Sequence, residues 1–138
     1  MYEWLDRPLS RLDARDSLLV WSTRRWQLDM DTTGCGCTRV GPAFHACGMI
    51  TALPFFEIAM TIVRHAKIEP FVIGGDTVSE DEAILLSLID QAGWRPRWQM
   101  MGRLEGFVAP AKVVPLVSAF TRLAPLLTSV SRSPRQPS

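Results

Sequence analysis

Lysine, histidine and net charge are all scarce in this sequence. Only Lys67 and Lys112 among the 15 basic residues are lysine, there are two histidines, and 14 acidic residues leave a formal net charge of +1. So even a balance creates no overall field to draw the chain onto nucleic acid or an acidic membrane. Phosphate-binding signatures are missing as well: Gly74-Gly75 has neither the Walker spacing nor the dinucleotide fingerprint. No apolar run is long enough to span a bilayer. The best candidate, residues 48–63, falls short of about 20 residues and contains Pro54 and Glu57. Residues 1–10 carry charges and Pro8 where a secretory signal needs an apolar stretch. Three cysteines without an export signal argue against a disulfide framework and for a reducing compartment, so the expected location is the cytoplasm.

What is present fits one domain. A chain of 138 residues buries a core without staples. The helical domain is expected over residues 1–128. Residues 129–138, rich in Ser, Pro and Arg, read as a disordered tail. Arginine makes up 13 of the basic residues, which suits bidentate contacts to carboxylates, although a codon-composition bias explains it equally well.

Residues 1–10, with Trp4 and Pro8, read as an arm, after which Ser10 or Asp13 caps a first helix. Ala14, Leu18, Trp21 and Leu28 keep helical spacing, and that helix is expected to end near Asp29. Residues 31–42 concentrate glycine and other breakers and predict a loop. A short helical turn over residues 43–48 and a main helix from Thr51 to Ala66 follow. The alternative is a start at Pro42 with a kink at Pro54.

The main helix is apolar around most of its circumference, with only Glu57, Thr61 and Arg64 as a polar strip, which places it at the centre of a fold. That strip reads as a solvated face or an intrahelical pair, or as one wall of a pocket. Residues 68–73 read as a short extended segment with nothing obvious to pair with. Thr77–Glu80 and Ser79–Glu82 are overlapping capping boxes that open a helix closed by Gly93. A fourth helix is expected from Pro96 to about Phe107, and a last one from Lys112 to Leu127 that Pro125 kinks or ends. The fold class is therefore all-α, a single-domain bundle of about five helices around a central apolar helix.

From the first helix onward the chain resembles a group of small uncharacterised bacterial proteins of similar length. The resemblance rests on Leu18-Leu-Val-Trp-Ser-Thr-Arg-Arg25, on Leu53-Pro54 opening a helix that ends in Arg64-His-Ala66, on Ile68, and on Thr77 followed by Asp81-Glu-Ala-Ile-Leu-Leu86. Where that group carries a run of cysteines before the threonine, this chain has Val72-Ile-Gly-Gly-Asp76. The resemblance implies an all-helical fold and no particular activity.

Two constellations have chemical potential. Cys35, Cys37, His45 and Cys47 supply three thiols and an imidazole, a soft donor set suited to tetrahedral zinc or an iron–sulfur centre. The one-residue spacing within each pair is against it, since zinc pairs usually lie two to four residues apart. On a regular helix His45 and Cys47 would also point about 200° apart. The plainer reading makes Cys47 a small buried hydrophobe and Cys35 and Cys37 loop thiols. The same thiols, with His45 or His65 as base, form a candidate nucleophile or redox pair that lacks any recognisable third group.

The second constellation is recurrent tryptophan beside arginine: Trp21, Arg24, Arg25 and Trp26, then Trp94, Arg95, Arg97, Trp98 and Arg103. Trp21, Arg25, Trp94, Arg97 and Trp98 are the candidate partner-binding residues. The competing reading buries the indoles in the core and lets the arginines reach the surface. Glu80, Asp81 and Glu82 sit where a helix N-terminus favours negative charge, which accounts for them.

The expected function is that of a small cytoplasmic accessory or regulatory protein. It would act by protein–protein contact or self-association rather than catalysis, with zinc as a candidate structural metal. The alternative is a metal- or redox-responsive thiol protein using Cys35, Cys37, His45 and Cys47. A third, weaker reading is a nucleic-acid binder through the Trp/Arg clusters.

Overall fold

Asp13 starts the first helix, its carboxylate accepting the Asp16 backbone N–H at 2.8 Å. The computed structural model describes residues 3–128, and among them six α-helices and three short 3-10 turns form an all-α bundle with no β-sheet. Helix α1 (Ala14–Thr33) runs one turn beyond the end expected near Asp29. Thr32 and Thr33 donate their hydroxyls to the carbonyls of Leu28 and Asp29, and Gly34, at φ 76°, donates its N–H to Met30.

Helix α2 (Cys37–Ala46) occupies the segment expected as a loop over 31–42 and a single turn over 43–48, and it contains Pro42. Burial explains the difference. Val40 and Phe44, four residues apart, are both fully buried, and anchoring that pair outweighs the hydrogen bond Pro42 cannot make. Gly36, just before α2, lies against the Trp26 indole so closely that a Cβ there would overlap the ring.

A 3-10 turn (Ile50–Ala52) then leads into α3 (Leu53–Ala66), with Pro54 in the first turn, two residues later than the Thr51 start. Ser79 and Glu82 form the expected capping box of α4 (Glu80–Ala92), each side chain pairing with the other residue's backbone N–H. Helix α5 (Arg97–Leu104) stops short of Phe107, whose N–H turns back to the Leu104 carbonyl. After a 3-10 turn (Pro110–Lys112) comes α6 (Val113–Leu127), whose last turn contains Pro125 without ending there.

The expected extended segment over 68–73 is not a strand, and two isolated bridges lie elsewhere, Pro8 with Thr77 and Lys67 with Val108. The first of these docks the N-terminal arm. Asp6 donates to the Val78 carbonyl, Val78 donates to Arg7, and buried Trp4 donates its Nε1 to Asp16 at 2.7 Å. Arg24 locks the segment before α4 from the other side. Its guanidinium holds both oxygens of buried Glu82 at 2.7 and 2.9 Å and also reaches the carbonyls of Gly75 and Thr77.

Helices α3 and α6 pack together at the centre, α4 and α5 lie on α6, and α1 and α2 pair with each other, both reaching α3. Phe44 meets Phe56 with ring centroids 5.1 Å apart, and Leu116, Phe120 and Leu123 of α6 are fully buried beside them. On the outer side of α3, Glu57 and Thr61 are exposed, as is Ile58, while Arg64 pairs with Asp31 at 2.7 Å. The polar strip is thus a solvated face and not a pocket wall. The expected tail over 129–138 lies outside the described residues.

Candidate interaction surface

Helix α4 ends by folding back on itself. The backbone N–H groups of Gly93, Trp94 and Arg95 return to the carbonyls of Asp90 and Gln91, and Pro96 then caps α5. Trp94 is 63% exposed, and Trp98, in the first turn of α5, is 72% exposed. Met100 and Leu104 carry the buried face of α5, and Trp98 stands away from it.

Arginines surround the two indoles. The Arg95 guanidinium stacks on Trp94 at 4.4 Å and donates to Gln99 at 3.0 Å. Arg97 donates to the Ser118 hydroxyl at 3.1 Å, and Arg103 shares with Trp98, Arg95 and Gln99 the lining of a shallow depression. Ion pairs among the described residues involve Arg15, Arg24, Arg64 and Lys67, and none of Arg95, Arg97 and Arg103 meets a carboxylate. The corner therefore offers two solvent-facing indoles and three guanidiniums with no acid to balance them. Chemically it suits an apolar side chain flanked by carboxylates.

The other Trp/Arg cluster is built differently. Trp26 is buried in the core, as the plainer reading expected, whereas Trp94 and Trp98 are not. Trp21 is half-buried, with the Arg25 guanidinium 6.0 Å from its ring centre. Both line a cleft of about 170 Å³ between α1 and the turn before it, floored by Leu9, Leu12 and Val20. No sequence pattern announces this cleft, because Leu9 and Leu12 lie in a segment with no period of its own.

The cysteines and His45 do not assemble as a zinc set requires. Exposed Cys35 lies in the turn after α1, Cys37 opens α2, His45 is exposed in its last turn, and half-buried Cys47 caps that helix at φ −88° and ψ 4°. His45 is therefore helical and Cys47, two residues on, caps the same helix, the arrangement in which the two side chains diverge. Among the described residues no group of three or more His, Cys, Asp or Glu side chains could hold a metal ion. Burial, with a hydrogen bond and the negative charge of Glu57, pushes the Cys37 thiol up to about 12. At neutral pH Cys37 is thus a thiol and not the thiolate that nucleophilic or redox chemistry needs. His65, the more distant candidate base, is exposed near the end of α3.

The carboxylates at the start of α4 have structural work. Asp81 accepts the Val72 N–H at 2.7 Å and pairs with Lys67 at 3.3 Å, and Glu82 accepts from Gly74, Ser79 and Arg24. No helix among the described residues is long and apolar enough to cross a membrane. No protein-family model, curated protein or solved structure matches the chain.

Proposed function

We propose that this is a small helical accessory protein of the cytoplasm that acts by protein–protein contact, using the corner between α4 and α5 to hold an acidic segment of a partner. The observation that carries this reading is the pairing of exposure with uncompensated charge. Trp94 and Trp98 stand 63% and 72% in solvent beside Arg95, Arg97 and Arg103, none of which has a carboxylate of its own. Tryptophan and arginine dominate the energetics of protein interfaces, and an indole left in water gains most when a partner covers it. A formal net charge of +1 favours a protein over a polyanion.

A titration tests the reading with three probes: a synthetic peptide alternating Glu and Asp with Leu and Phe, its lysine counterpart, and an oligothymidylate. The acidic peptide is expected to bind, to weaken with salt, and to lose about tenfold or more in affinity when Arg95 and Arg103 are both changed to Glu. Equal binding of the acidic and basic peptides would overturn the reading. Tighter binding of the oligothymidylate would replace it with the nucleic-acid alternative.

A further inference from the structure

The cleft on α1 differs from the corner at α4 and α5 in being concave, small and mainly apolar. Leu9 and Leu12 close one side and Val20 and Trp21 the other, so the walls are mainly hydrocarbon and indole, with Ser17 and two arginines as the polar lining. Two arginines reach it, and their situations are opposite. Arg24 is spent on Glu82, Gly75 and Thr77, with Nε and both terminal nitrogens engaged. Arg25 has only the face of Trp21, at 6.0 Å, and no carboxylate among the described residues. A half-buried guanidinium beside apolar walls attracts a carboxylate more strongly than one in open water, because fewer water molecules compete for it.

We infer that this cleft binds a small amphipathic carboxylate, its apolar body against Leu12, Val20 and Trp21 and its carboxylate on the Arg25 guanidinium. Size limits the class. About 170 Å³ is below the roughly 300 Å³ at which pockets for drug-sized ligands begin, so a short acyl chain fits and a nucleotide or large cofactor does not. Among the described lining residues Arg25 is the one guanidinium that no carboxylate engages, which matches a ligand with a single carboxylate. Leu28, 48% exposed at the rim, lies three residues from Arg25 and therefore beside it on the helix.

The test uses the full chain with octanoate, octanol and octylamine as probes, followed by calorimetry and ligand-observed NMR. Octanoate is expected to bind at least about tenfold tighter than octanol, the usual weight of one charge-assisted contact, and octylamine more weakly than either. Arg25→Gln should bring octanoate down to the level of octanol while leaving octanol unchanged. Leu28→Glu, at an exposed position that leaves the core intact, should occupy Arg25 from three residues away and abolish the preference, whereas Leu28→Lys should retain it. Equal binding of octanoate and octanol by the unaltered chain, an unchanged octanoate affinity in Arg25→Gln, or no binding of octanoate at millimolar concentration would each overturn the inference.

Discussion

Gly36 and Trp26 show how much a single atom decides at the residue scale. A Cβ at position 36 would overlap the indole of Trp26, and the indole is locked in the core. Gly36→Ala is expected to destabilise the fold by about 1–3 kcal/mol through overpacking, read from the urea midpoint, and an unchanged midpoint would contradict the close approach. Asp16 brings pH into play. Desolvation raises its carboxyl above the ordinary 3.8, with the hydrogen bond from Trp4 pulling the other way. Because the folded value exceeds the unfolded one, its contribution is fully present below 3.8 and is lost as pH rises through the raised folded value. Asp16→Asn keeps an acceptor for Trp4 and does not ionise. Its stability relative to the unaltered chain should therefore improve between about pH 3 and about pH 7, and a gap that stays constant over that range would contradict the raised value. Cys37, pushed up to about 12, should resist iodoacetamide at about pH 8 while exposed Cys35 reacts, with peptide mass spectrometry reading the order; equal labelling would contradict it.

At the scale of elements, α4 and α2 lie at opposite ends of what a sequence discloses. The start of α4 is written locally: Ser79 and Glu82 satisfy each other's backbone, and three carboxylates fill the first turn. Ser79→Ala is expected to cost about 1 kcal/mol, measured by denaturant unfolding, and no loss would mean that the cap is not formed. Helix α2 is written tertiarily. Gly41 and Pro42 within it and Gly36 before it speak for a loop, and only the burial of Val40 and Phe44 against the core makes it helical. The divergence of His45 from Cys47 has the same origin, since their convergence depended on the two not sharing a regular helix. The longer α1 has a local cause instead, its last turn being held by threonine hydroxyls and the Gly34 cap.

For the whole molecule, the all-α class was legible because periodic apolar positions and caps agreed along most of the chain. The surface was less legible. Indoles are buried more often than not, so the sequence leaves Trp94 and Trp98 open between partner-binding surface and core. A signal did exist in α5: Met100 and Leu104 are four residues apart and define its buried face, and Trp98 lies about 200° from Met100 around the helix. The α1 cleft had no such signal, because it joins α1 to a segment whose docking depends on backbone bridges to Thr77 and Val78. Surface tryptophans without a structural role carry a further consequence. Trp94→Ser and Trp98→Ser should each change stability by no more than about 0.5 kcal/mol, unlike any substitution of Trp26.

The most direct measurement of the proposed contact is photocrosslinking inside cells, with a crosslinking amino acid placed at position 98 and, as a control, at exposed Thr32. The account predicts a discrete product from position 98 that is absent from position 32 and disappears when Arg95 and Arg103 are changed to Glu. The same pattern of products from both positions, or a product at position 98 that persists after the charge reversal, would contradict it.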